Sequence, residues 1–109
     1  MSMEVPLEDL SDVAHLYGPT AFAAVSAPDG PPRLTHVAPH IDGTMITIGL
    51  GQSSIALLGQ NATLGLLWPA NEREAMSLIV DTAVDEILPD GLVRVRALSG
   101  VRHRPAPSV

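Results

Sequence analysis

The stretch that decides the fold is Arg33-Leu34-Thr35-His36-Val37-Ala38-Pro39-His40-Ile41-Asp42-Gly43-Thr44-Met45-Ile46-Thr47-Ile48-Gly49-Leu50. Asp42-Gly43 is a two-residue hairpin signal, because turns of that length need positive φ and glycine adopts it without strain. Residues 33–41 read as extended, and residues 44–50 are rich in β-branched side chains, which favour strands. On the first strand, period two places Leu34, His36, Ala38 and His40 on one face. Thr35, Val37, Pro39 and Ile41 take the other.

Working outward toward the N-terminus, Pro28-Asp29-Gly30-Pro31-Pro32 is a turn and residues 20–26 are a further strand. The three strands make a meander. Before it, residues 6–17 predict an amphipathic helix. Pro6 suits a first helical turn, and Glu8, Asp9 and Asp12 complement the positive end of the helix dipole. Leu7, Leu10, Val13, Ala14 and Tyr17 recur at three- and four-residue spacing, and Gly18-Pro19 stops the helix.

Toward the C-terminus, Gly51 breaks the meander. Ser53 and Ser54 are N-cap candidates for a short helix at 53–60. Residues 62–68, 75–86 and 92–98 read as strands, with a turn at Pro89-Asp90-Gly91. The tail Pro105-Ala106-Pro107-Ser108-Val109 is expected to fray. The reading is mainly β: a six-stranded antiparallel barrel, closed or nearly so, with an N-terminal helix and one short helix between strands three and four. It forms one domain over residues 1–109. A barrel this small leaves edges and a mouth exposed, so a homodimer is expected.

Composition narrows the chemistry. The chain has 109 residues, 46% of them apolar, enough for one core. It contains no Cys and no Lys, since all 6 basic residues are Arg. Disulfides, thiolate metal sites, a Cys nucleophile, a Schiff base and a P-loop are therefore excluded. The net charge of −6 disfavours a nucleic-acid partner. Charge is uneven: residues 91–109 carry Arg94, Arg96, Arg102 and Arg104 and no acid. That segment is either an anion-friendly patch or a solvated counterweight to an acidic body. No apolar run approaches the roughly 20 residues that cross a bilayer. Residues 1–17 carry no basic residue of the kind that opens a leader. A cytoplasmic protein with no membrane partner is expected.

Three groups could bind a ligand. Gly49-Leu50-Gly51-Gln52-Ser53-Ser54 leaves a strand and opens a helix, offering free N–H groups and hydroxyls to a phosphate, or else simply capping the helix. It is not a dinucleotide fingerprint, because Ser54 replaces the third glycine and no parallel βαβ unit follows. His36 and His40 lie roughly 13 Å apart on a strand, too far to share a metal ion, but one could line a cleft. Arg102-His103-Arg104 could grip a phosphate or carboxylate. Trp68 either covers a flat ligand or packs in the core. No Ser sits in a Gly-x-Ser-x-Gly elbow, and no metal site is read.

The order of these motifs resembles the pyridoxamine 5'-phosphate oxidase-like proteins, the FMN-binding split barrels, in their small actinobacterial-type form. The matching pieces are Phe22 to Ser26 before Asp29-Gly30-Pro31-Pro32, Pro39 to Gly43, Gly51 to Ser54 with Asn61 after it, Leu66 to Pro69, Ser77 to Asp81, and His103-Arg104-Pro105. They span about residues 6–107. The resemblance implies a dimer that holds FMN at the subunit interface and transfers hydride on a small substrate. By position, Thr35, His36, Val37 and His40 would contact the flavin, and Gly49, Gln52, Ser53 and Ser54 its phosphate. The family's oxidases place Arg and Lys on that strand and at the helix start. Here Thr35 and His40 stand on the strand and Ser54-Ile55 at the helix start, leaving Arg33 or the Arg94–Arg104 group to supply the cation. The alternative is a non-catalytic split-barrel dimer that binds a deazaflavin, a bilin, haem or another small ligand.

Overall fold

The computed structural model describes residues 2–104. They form β1 (Ser2–Val5), a 3-10 turn at Leu7–Asp9, α1 (Leu10–His15), β2 (Ala21–Val25), β3 (Arg33–Val37), β4 (His40–Asp42) and β5 (Met45–Gly49). Then come α2 (Gln52–Leu58), β6 (Thr63–Trp68), β7 (Ser77–Ile87) and β8 (Leu92–His103). All the strands join one antiparallel sheet in the order β3-β2-β6-β7-β8-β5-β4, with β1 added on β8.

The sheet curls because its two ends are tethered. β3 and β4 stand at opposite ends of the strand order, yet only Ala38-Pro39 separates them. Three virtual bonds hold Val37 and His40 within about 11 Å, so the two edges must face one another. Pro39 has no N–H to give to a ladder. The barrel is thereby split at this seam.

The strand count differs from the expected six. One expected strand, 33–41, is divided by Ala38-Pro39 into β3 and β4. Ser2–Val5 adds an eighth by pairing with Gly100 to His103. That pairing is possible because β8 runs on to His103, five residues past the expected end at 98. β8 is the spine of the sheet. One side pairs with β7 along its length, and the other pairs first with β5 and then with β1. Register slips between Asp81 and Thr82 and between Val84 and Glu86 mark bulges, which add the twist that a curled sheet needs.

The hydrophobic alternation decides which face turns inward. Ala21, Ala23 and Val25 of β2, Leu64, Leu66 and Trp68 of β6, and Val93, Val95 and Ala97 of β8 are buried together. Trp68 is thus a core residue. Thr82 is also buried, with its hydroxyl satisfied by donating to the Leu64 carbonyl at 2.9 Å. The N-terminal apolar stripe holds, with Leu10 and Ala14 buried and Leu7, Val13 and Tyr17 packed on the core. The helix is shorter than expected, because the first turn after Pro6 is wound as 3-10 and pairing of Ser2–Val5 fixes the chain before it. The expected fraying of the tail concerns residues outside those described.

Both hairpin turns use positive φ. Gly43 (φ 63°) follows Asp42, which itself ends β4 opposite Met45, so the turn residues are Gly43-Thr44, one position later than expected. Between β7 and β8, Asp90 (φ 64°) and Gly91 (φ 76°) are both left-handed, the signature of a type I′ turn. A Cβ on Gly91 would lie 3.1 Å from the Leu50 carbonyl oxygen, whereas one on Gly43 meets nothing within 4 Å. Gly91→Ala is expected to destabilise the fold by about 1–2 kcal/mol from the left-handed backbone, plus the added contact. Gly43→Ala should cost less, and chemical denaturation of the two variants ranks them.

Candidate functional site

β3 is the place to begin, because among the described residues its outer edge has no strand neighbour and its backbone groups there are free to meet a ligand. The inward and outward faces are those the sequence predicts. Leu34, His36, Ala38 and His40 are exposed, while Val37 is buried and Thr35, Pro39 and Ile41 are half-buried. Val37 is therefore a core side chain, and only its backbone is available. His36 stacks on Phe22 of the neighbouring strand, with ring centroids 4.8 Å apart and planes inclined by 19°. His40 is exposed across from Thr47 on β5.

The loop into α2 is arranged differently from the expectation. Helix α2 starts at Gln52, and its N-cap is Gly51, with no capping bond from a side chain. Ser53 and Ser54 are thus inside the first turn and not caps. Their fates diverge, because successive helical residues point about 100° apart. Gln52 and Ser53 are exposed, as is Gly49 at the end of β5, whereas Ser54 is buried with 5% exposure. Ser54 therefore faces the core and offers no open hydroxyl.

One contact brings the two parts together. The Arg33 guanidinium, at the start of β3, donates from Nη1 to Oγ of Ser53 at 3.4 Å. Two of the other arginines are paired elsewhere. Arg94 donates from Nε to Asp85 at 2.9 Å and also pairs with Glu86. Arg102 pairs with Glu74 and donates from Nε to the Tyr17 hydroxyl at 3.2 Å, while that hydroxyl donates to the Met76 carbonyl at 2.5 Å. Both guanidinium groups are held above their ordinary basicity. The main cause at Arg94 is the hydrogen bond to Asp85, and at Arg102 the bond to Tyr17, each partly offset by desolvation. In the Arg102-His103-Arg104 run, Arg102 is already paired with Glu74, and Ser2 Oγ lies 3.2 Å from Nδ1 of His103.

Two clefts flank this region. One, of about 270 Å3, lies between α1 and β4 and includes His15, Ile41 and Trp68. The other, of about 490 Å3, lies between the proline-rich turn and α2 and includes Arg33, Asp29, Leu57 and Gln60. None of the eight residues expected to contact flavin lines either cleft. Arg33, the residue at which strand edge, helix and cleft meet, is one of the two cation sources that the sequence offers in place of the family's clamp.

No protein-family model matches the chain, and no curated protein sequence does. Solved structures do. An FAD-binding protein from Mesorhizobium loti superposes with a TM-score of 0.65 at 14% identity, covering 94% of this chain and 96% of that one. HutZ, the haem storage protein of Vibrio cholerae, superposes with a TM-score of 0.58 at 12% identity, covering 95% of this chain and 93% of its own. At such identities the likeness establishes the fold, a curled antiparallel sheet with two short helices shared over nearly the whole chain.

Ile55 occupies the position where a clamping cation was looked for. It is half-buried and packs on the core. Ile55→Lys is therefore expected to destabilise the domain, by about 1–3 kcal/mol for a buried polar group without a partner. A lowered melting temperature with no gain in FMN affinity checks this.

Proposed function

We propose that the chain is a pyridoxamine 5'-phosphate oxidase-like split barrel that binds a flavin nucleotide, with FMN as the first candidate. The observation that carries the reading is Arg33 on Ser53 beside the free edge of β3. A phosphate needs a cation and hydroxyl or N–H donors, and Arg33, Ser53 and Gln52 supply them without a lysine. An isoalloxazine ring needs donors and acceptors along one edge, and the free edge of β3 presents both from alternate residues along Thr35, His36 and Val37. The aromatic pair Phe22–His36 lies on the same strands. Ser54 and Ile55 do not contribute side chains in this reading.

A bound flavin supplies hydride chemistry, and the protein binds the cofactor, orients it and excludes water. An oxidoreductase acting on a small molecule in the cytoplasm is the activity that goes with this site. Support for flavin also comes from the fold shared with an FAD-binding protein.

The exposed imidazoles of His36 and His40 favour haem as a second reading, since imidazole is a common haem-iron ligand. A haem storage protein shares the fold.

Titration with FMN, followed by quenching of flavin fluorescence, tests the first reading. Arg33 is exposed, so Arg33→Met should leave the melting temperature unchanged. It should weaken FMN by about tenfold or more, the worth of one charge-assisted hydrogen bond of roughly 1.5–3 kcal/mol. The wild-type affinity should also fall with added salt. Equal FMN affinity in the two proteins would remove Arg33 from the site. A haem absorption band formed without any flavin binding would select the second reading.

A further inference from the structure

The cleft between α1 and β4 has a chemical character that the flavin reading does not use. Its volume is about 270 Å3. Space is left there because the larger apolar side chains of α1 go elsewhere. Leu10 is buried and Val13 packs on the core, while Ser11, Ala14 and His15 line the cleft. Ala14 and Trp68, 2% and 1% exposed, close its bottom. Pro19, Pro39 and Ile41 wall it. The two polar side chains, Ser11 and His15, are both exposed and stand at its mouth. Among the described residues neither is engaged by a hydrogen bond or an ion pair.

We propose that this cleft binds a small aromatic carboxylate. The proposal stands on the cleft alone and is independent of which ligand β3 holds. Three observations select that class. First, Ser11 and His15 are four residues apart on one helix, so they share one side of the cleft with Cβ atoms about 5–6 Å apart. At that spacing a hydroxyl and an imidazole N–H can each donate to a different oxygen of one carboxylate. An alcohol or an amine has no pair of acceptors to meet them. Second, the chain has 12 acids, yet none lines the cleft, and His15 is the one titratable side chain that does. A carboxylate there meets no like charge in the lining, and an ammonium group finds no anion. Third, the two prolines, Ile41 and Trp68 offer only apolar surface, which suits a flat apolar body better than a sugar or a peptide. A cavity of roughly 150 Å3 takes one benzene ring, so this one has room for a fused pair of rings with the carboxylate at the mouth.

Titration of the full-length chain with 2-naphthoate tests the proposal. Trp68 is the one tryptophan of the sequence, so its indole N–H gives a single NMR signal that reports on the bottom of this cleft. That signal should shift as 2-naphthoate is added, with a stoichiometry of one per chain. 2-Naphthylmethylamine, a similar ring system carrying an ammonium, should bind at least tenfold more weakly. His15→Ala should weaken 2-naphthoate by about tenfold, the worth of one hydrogen bond to a charged group. Ser11→Phe places a ring in the mouth and should abolish binding with an unchanged melting temperature, because Ser11 is exposed. An indole signal that does not move, equal affinity for the acid and the amine, or unchanged affinity in His15→Ala or in a folded Ser11→Phe variant would each overturn it. Binding of 2-naphthoate by a chain that takes up no FMN would leave this site standing and remove the flavin reading instead.

Discussion

The constraint on which the rest of the structure depends is the two-residue link Ala38-Pro39. It ties one end of the sheet to the other. A flat sheet of seven strands spaced about 4.8 Å apart would set its edges nearly 30 Å from one another, and the chain allows only about 11 Å between Val37 and His40. The sheet must curl, and the curl encloses the core. Pro39 also keeps the seam from zipping into a continuous ladder. The same residue pair that closes the barrel thereby leaves an unpaired edge on β3, where backbone groups are still available for binding.

Curling has a cost that the rest of the chain meets. A long strand must bend, and β8 does so at a bulge beside Leu98, with β7 bulged beside Asp85. Its far half needs a second neighbour, which β1 supplies. α1 then packs over the enclosed end, where Leu10 and Val5 lie within 3.6 Å of where a Cβ on Gly100 would stand. A larger residue at position 100 would press into both. The Tyr17–Arg102–Glu74 network anchors the loop before β7 to the end of this N-terminal segment. Hydrogen bonds to a charged, partly buried group hold such a loop better than exposed ion pairs do.

The parts of the fold legible in the sequence are those set by local rules. Alternation along 33–41 gave the right inner and outer faces, because one face is buried and period two admits no other assignment. The stripe from Leu7 to Tyr17 marked its buried side for the same reason. What was not legible depends on contacts distant in sequence. Ser2–Val5 has only one buried residue, Val5, so nothing local marks it as a strand; its partner lies about a hundred residues away. Ser53 and Ser54 both look like caps. The start of α2 at Gln52, one position earlier than expected, turned one outward and the other into the core. Polar composition alone could not separate them.

Charge placement decides which cation is left for the site. The chain has only 6 cations against 12 acids, so each arginine's partner matters. The basic C-terminal run looks in sequence like a reservoir for an anion. In the fold, antiparallel pairing of β7 with β8 lays Arg94 against Asp85 and Glu86, and the loop before β7 brings Glu74 to Arg102. A guanidinium already bound to carboxylates gains little from a phosphate, since it must give up one anion to take another. Arg33 is held by a hydroxyl alone among its described contacts, which leaves its charge uncompensated. It stands at the start of β3, beside the exposed first turn of α2, where an incoming phosphate need displace no carboxylate.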